Sequence, residues 1–172
     1  MTLACLAASA LTSSAQVAPA SQTEVELILL GTGYPRPHPE TAGPATAVVV
    51  NGKVFIVDTG RNVTTRLWAT GYPLKDIQAV LLTHLHSDHI AGLPDLFTTS
   101  WIFSRYTPLE LYGPPGTKNV ADAILKMFEV DIPIRRDLTE LHAAEGATIN
   151  LARSTKTGPS TKTRTSASPR SA

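Results

Sequence analysis

Apolar residues occur in this chain as short runs separated by glycine and proline. Three such runs, residues 25–30, 45–50 and 53–57, are rich in branched side chains, which predicts β-strands. Asn51-Gly52 joins the second run to the third and is typical of a two-residue hairpin turn. Four prolines between residues 35 and 44 predict an irregular loop before the hairpin.

The later part of the pattern alternates between helical and extended segments. The predicted elements are a helix at 61–70, a strand at 78–82, a helix at 94–106, a strand at 109–112 and an amphipathic helix at 118–130. Strands that alternate with helices predict an α/β domain with a mixed β-sheet and flanking helices. We place this domain at residues 24–152.

Both ends of the chain differ from this domain in composition. Residues 1–22 are mostly small or apolar, and Ser13-Ser14-Ala15 resembles a cleavage site, which predicts a signal peptide and a secreted or periplasmic protein. A disordered leader rich in alanine and serine is the alternative. Ten of the twenty residues in 153–172 are Ser or Thr, which predicts a disordered basic tail. Three interpretations of this tail are open: a solvated segment, a segment that binds an acidic partner, or a frameshifted end.

Charge and cysteine content exclude several kinds of partner and site. The formal net charge is +1, but residues 153–172 hold five basic and no acidic residues, so the body is mildly acidic. A broad nucleic-acid surface is therefore not expected. Cys5 is the only cysteine, which excludes a disulfide framework and a thiolate zinc site. The apolar run of the leader is too short for stable membrane insertion.

The stretch T-H-L-H-S-D-H at residues 83–89 carries the chemistry. It holds three of the five histidines of the chain, and imidazole and carboxylate are ligands that zinc prefers. Residues two apart on an extended segment point the same way, so His84 and His86 can share one metal ion. Asp88 and His89 follow a turn. They suit a second ion, or one of them is a ligand and the other a base.

Other candidate residues are weaker. Asp58 ends a predicted strand beside glycine, and we expect a structural acceptor of backbone N–H groups there rather than a metal ligand. Gly31-Thr32-Gly33 predicts a tight turn, because no helix with a Lys-Ser/Thr pair follows it. His38 and His142 are isolated in the sequence, and both are expected to be loop or surface histidines.

Together these motifs resemble the metallo-β-lactamase superfamily, in its branch of ribonuclease Z-like and arylsulfatase-like hydrolases. The shared motifs are a strand that ends in D-x-G, L-G-T-G at 30–33, T-H-L-H-S-D-H at 83–89, I-A-G-L-P at 90–94 and L-Y-G-P-P-G at 111–116. The resemblance implies a four-layer αββα sandwich, of which this chain matches the N-terminal half. It also implies two zinc ions, with His84 and His86 on the first and Asp88 and His89 on the second. In the nuclease branch the aspartate that matches Asp88 also assists proton transfer.

The function that this resemblance implies is zinc-dependent hydrolysis. Water activated by a dizinc site would attack a phosphodiester, a sulfate ester or a similar ester of a small substrate. One alternative is a tRNA 3′-processing endoribonuclease, although D-T-G-R-N at 58–62 departs from the D-x-G-E-G of that branch. Another is a truncated, catalytically incompetent fragment with a zinc half-site, because the remaining ligands of the family come from the second half of the domain. A homodimer is a further expectation.

Overall fold

A computed structural model of the chain describes residues 23–139 and 142–151. Its six strands are β1 (Val25–Gly31), β2 (Ala45–Val50), β3 (Lys53–Val57), β4 (Ile77–Leu81), β5 (Leu109–Tyr112) and β6 (Ile149–Leu151). Its α-helices are α1 (Val63–Ala69), α2 (Ser87–Ile90), α3 (Leu93–Ile102), α4 (Thr117–Met127) and α5 (Asp131–Pro133). Short 3₁₀ turns at Leu74–Asp76 and Ala144–Ala147 and a π-helical turn at Ile134–Thr139 complete the described elements.

The six strands form one mixed sheet in the order of the sequence. Strands β1, β2 and β3 are antiparallel neighbours, whereas β3, β4, β5 and β6 run parallel. Asn51 and Gly52 both have positive φ in the turn between β2 and β3, which is the backbone that a two-residue hairpin needs. The predicted α/β class with a mixed sheet and flanking helices is therefore confirmed.

One hydrophobic core lies between the sheet and its helices. Side chains of alternate strand residues, such as Ile56, Val80 and Leu111, pack there with residues of α1, α3 and α4. Leu67 of α1 and Phe97 of α3 have no solvent exposure. This packing holds the helices on one face of the sheet and places the carboxyl ends of the parallel strands at one edge.

The helices predicted at 94–106 and 118–130 end earlier than expected, at Ile102 and Met127. After α3 the chain reverses at Ser104, which has φ of 74°. The reversal turns the Arg105 side chain inward, where it donates to the carbonyl oxygens of Phe97 and Gly146. Burial lowers the pKa of Arg105 to about 10. The apolar period cannot reveal this reversal, because it depends on a contact with Gly146, which is 41 residues away.

The predicted leader, at residues 1–22, and the predicted tail, at 153–172, lie outside the described residues. Both remain predictions, and so do the domain boundaries drawn from them. Within the described ranges, no helix is long and apolar enough to cross a membrane.

Candidate metal centre

The candidate site lies where two parallel strands end side by side. Asp58 follows β3, and Thr83 follows β4 by two residues. Because β3 and β4 are hydrogen-bonded neighbours, their carboxyl ends bring these residues together. The carboxyl edge of a sheet is where α/β proteins often build their sites. The loop from Thr83 runs into α2, which carries Asp88 and His89.

Asp58 is the buried acceptor at the centre of this junction. Its residue is 6% exposed, and its φ of 57° turns the chain sharply after β3. The Oδ1 atom accepts a hydrogen bond of 2.9 Å from the Thr83 N–H. The Thr83 hydroxyl lies 3.0 Å from Oδ1 and 2.8 Å from Oδ2. The expectation that Asp58 is a structural acceptor is therefore confirmed.

Asp58 also orients His89, a contact that the sequence pattern does not predict. The Nδ1 atom of His89 lies 2.8 Å from Asp58 Oδ2, so the ring N–H donates to the carboxylate. This bond leaves the Nε2 atom free, and Nε2 lies 3.8 Å from Asp88 Oδ2. The backbone is held as well, since Thr59 N–H donates to the His89 carbonyl at 2.7 Å. Carboxylate–histidine pairs of this kind fix the ring that ligates a metal.

His84 and His86 form the second pair of donors. Their Nε2 and Nδ1 atoms, respectively, lie 3.1 Å apart. The ring of His84 also lies against the ring of His89, with a centroid separation of 4.0 Å. Two nitrogens on one tetrahedral zinc ion, each at about 2.0–2.1 Å, are about 3.3 Å apart. The His84–His86 pair therefore fits one zinc ion.

The Asp88–His89 pair fits less closely. Its separation of 3.8 Å exceeds the roughly 3.4 Å of two ligands on one tetrahedral ion, so a small side-chain rotation is needed. In the part of the chain that the structure describes, no group of three or more His, Cys, Asp or Glu side chains is arranged to hold an ion. The donors instead lie in two pairs, as the sequence predicts, and their assignment as ligands stays a prediction.

Three glycines allow the loops of the site to pack backbone against backbone. A Cβ atom on Gly92 would lie 2.3 Å from the Gly60 carbonyl oxygen, and one on Gly60 would lie 2.3 Å from the Gly43 carbonyl carbon. Gly92 N–H also donates to the Thr59 carbonyl at 2.8 Å. These contacts hold the turn after β3 against the start of α3. They thereby set the distance between Asp58 and His89.

The isolated histidines have other partners. The Nδ1 atom of His38 accepts from the Glu40 N–H at 3.2 Å, in an exposed turn. The ring of His142 lies edge-on to Trp101, with centroids 5.4 Å apart. Both arrangements agree with the expectation of loop or surface histidines.

Comparison with known proteins identifies the family. The profile of the metallo-beta-lactamase superfamily matches residues 38–151. The chain belongs to this superfamily. It is 51% identical over 114 residues to the ribonuclease Z of Mycobacterium marinum and 49% identical over 114 residues to that of Mycobacterium bovis. Each match covers 64% of this chain and 41% of the relative.

A solved structure of this superfamily agrees with the fold. Human tRNase Z, short form, superposes with a TM-score of 0.54 at 32% identity, over 61% of this chain and 39% of that chain. The chain thus spans about two fifths of the length of the relatives that it matches. The predicted membership of the metallo-β-lactamase superfamily is confirmed.

The relatives also change two expectations. They are named ribonuclease Z, which favours the nuclease alternative over the main prediction of a general ester hydrolase. The expectation that nucleic acid is an unlikely partner loses its support for the same reason. It rested on net charge, and net charge does not report how a few basic side chains are placed around a site. Zinc itself, the arylsulfatase-like character and export stay predictions.

Proposed function

We propose that this chain carries the first metal-binding motif of a ribonuclease Z-type phosphodiesterase, which cleaves precursor tRNA at its 3′ side. One observation carries the proposal. The two donor pairs, His84 with His86 and Asp88 with His89, come together in a region that is 51% identical to a ribonuclease Z. The departure at Arg61-Asn62 lies beside this site, and it leaves the four donors in place.

The donor types of this set, imidazole nitrogen and carboxylate oxygen, fit zinc. His84 Nε2 and His86 Nδ1 would hold one ion, and Asp88 Oδ2 and His89 Nε2 would hold a second. Bound zinc supplies Lewis-acid chemistry, which polarises a phosphoryl oxygen and activates water for attack. The resemblance implies that the family completes such a site with ligands from the second half of its domain, and this chain matches 41% of the length of its relative.

The residues of the chain do the positioning. Asp58 accepts the Nδ1 hydrogen of His89, so the Nε2 lone pair faces the site. The carboxylate of Asp88 lies beside that nitrogen, and its second oxygen can accept a proton from an attacking water. His86 and Thr83 are exposed, so a large polymer can approach this edge of the sheet.

Zinc content tests the ligand assignment. We expect the purified chain to bind zinc in competition with a chromophoric chelator. The double variant His84→Ala with His86→Ala should lose binding at the first pair, since an open ion with two ligands fewer is held weakly. His38→Ala is the matched control, because His38 is an exposed histidine bonded within its own turn. Equal zinc content in all three proteins would contradict the assignment.

Substrate preference tests the nuclease proposal. The zinc-loaded chain is given a precursor tRNA with a 3′ trailer and, separately, bis-p-nitrophenyl phosphate and an aryl sulfate. Faster cleavage of the RNA, lost in Asp88→Ala, supports ribonuclease Z activity. Faster hydrolysis of a small ester favours the general hydrolase. Zinc binding without turnover of any substrate favours the half-site alternative.

A further inference from the structure

Thr83 lies between the buried carboxylate and the first metal-ligand pair. Its Oγ1 atom is 2.8 Å from Asp58 Oδ2 and 3.0 Å from His84 Nδ1. Its backbone N–H also donates to Asp58 Oδ1. The hydroxyl is therefore held by its own backbone at a fixed place beside the carboxylate.

The hydrogens available on each group decide the direction of the Thr83–Asp58 and Thr83–His84 hydrogen bonds. A threonine hydroxyl has one hydrogen to donate and two lone pairs, whereas a carboxylate only accepts. The hydroxyl must donate to Asp58, because the reverse orientation would place two lone pairs against each other at 2.8 Å. The contact with His84 then needs the ring as donor. His84 consequently carries its hydrogen on Nδ1, and its Nε2 atom presents a lone pair.

The geometry points to Thr83 as a positioning residue that relays the Asp58 carboxylate to His84 and so fixes the tautomer of this ligand. Asp58 fixes His89 by direct contact and His84 through the Thr83 hydroxyl. One buried carboxylate thereby presents the Nε2 lone pair of one histidine in each donor pair. This inference rests on the proposed zinc function for its purpose. The hydrogen-bond arrangement does not depend on zinc.

The Thr83 hydroxyl can be removed without removing its backbone bond. Thr83→Val keeps the shape of the side chain and the N–H that donates to Asp58. Thr83→Ser keeps the hydroxyl. Thr99→Val is the matched control, because the exposed Thr99 hydroxyl donates to the Asp95 carboxylate at 2.9 Å on α3. Loss of folding in Thr83→Val would show in its unfolding midpoint, and Thr83→Ala, which also lacks the hydroxyl, then takes its place in both measurements.

Nuclear magnetic resonance on the metal-free protein reads the tautomer. With ¹⁵N-labelled histidine at about pH 8, where imidazole is neutral, long-range ¹H–¹⁵N correlations distinguish the ring nitrogen that carries hydrogen. We expect the Nδ1–H form of His84 in the wild type, in Thr83→Ser and in Thr99→Val. In Thr83→Val the His84 signals should shift toward the Nε2–H form, while His89 stays Nδ1–H. An unchanged His84 in folded Thr83→Val would overturn the proposal.

Zinc affinity gives the functional readout. Removal of an outer partner of a metal ligand typically lowers affinity by roughly 10- to 100-fold. We expect such a loss in Thr83→Val, recovery in Thr83→Ser and no change in Thr99→Val. Measurable zinc binding of equal affinity in wild type and Thr83→Val would overturn the relay. A third outcome separates the two proposals: the wild type binds no zinc, but the His84 tautomer still shifts in Thr83→Val. This outcome would contradict the proposed function alone and support the relay.

Discussion

The two faces of the sheet have similar side chains but very different surroundings. On one face, Leu111 of β5 has no solvent exposure, because α1, α3 and α4 cover that side. On the other face, Leu27 and Leu29 of β1 are 66% and 64% exposed. Strand register continues this second row from Leu29 through Thr46, Val57 and Leu81 to Tyr112.

This difference shows that an apolar strand sequence is not enough to bury a face of the sheet, because helices must also cover that face. The β2 run A-T-A-V-V-V and the β3 run K-V-F-I-V are almost continuously apolar rather than alternating. Such runs are typical of strands that are buried on both faces. The described helices cover one face only. The second face is therefore a large apolar surface of the kind that marks an interface or an aggregation risk.

The largest expected effect comes from matched leucine deletions on the two faces. Leu111→Ala should lower the free energy of unfolding by about 2–5 kcal/mol, because it removes buried methyl groups and leaves a cavity. Leu29→Ala, on the open face, should change it by about 0.5 kcal/mol or less. Urea unfolding followed by circular dichroism measures both. Equal losses in the two variants would mean that the open face is covered in solution.

An intermediate effect is expected on dye binding and self-association. The double variant Leu27→Thr with Leu29→Thr keeps good strand propensity but removes apolar surface from β1. It should bind less anilinonaphthalene sulfonate and elute closer to monomer size than the wild type, with little change in its unfolding midpoint. Thr99→Val is the neutral control, because Thr99 lies on α3, which packs on the other face of the sheet. Unchanged dye binding and elution would show that this row is not the associating surface.

The smallest expected effect is on stability at alkaline pH, and it comes from Tyr72 beside the edge strand β1. The Tyr72 hydroxyl donates to Glu26 Oε2 at 2.6 Å, which ties the loop after α1 to β1. The hydrogen bond to Glu26 raises the pKa of Tyr72 above its ordinary value of 10.0. A raised folded-state pKa contributes stability below the unfolded value, and this stability is lost as the pH rises through the folded value.

Absorbance at 295 nm during an alkaline titration checks this shift. One phenol of the wild type should titrate above the others, and Tyr72→Phe should remove that phase. The alkaline loss of stability should become slightly smaller in the same variant. Titration of Tyr72 together with the exposed Tyr34 would contradict the bond to Glu26.

The sequence predicts the strands and the candidate metal donors but not the contacts between them. The hairpin at Asn51-Gly52 and the pairing of His84 with His86 follow from local rules, namely turn preference and the two-residue period of an extended chain. The end of α3 at Ile102 was missed, because the inward turn of Arg105 depends on a carbonyl at Gly146. The role of Asp58 toward His89 was missed because thirty-one positions separate them. The sequence signal for this contact is D-x-G at the end of one strand together with T-H after the next strand.

The sequence by itself determined the family and the succession of strands and helices along the chain, because residue chemistry and apolar period are local properties. The tertiary structure alone decided which ring nitrogen of His89 faces the Asp58 carboxylate, and it left one face of the sheet open. The first outcome depends on the parallel register of β3 and β4, which brings Asp58 beside Thr83 and His89. A hydrogen-bond direction is set by the partners that surround a donor. Those partners are neighbours only after the chain has folded.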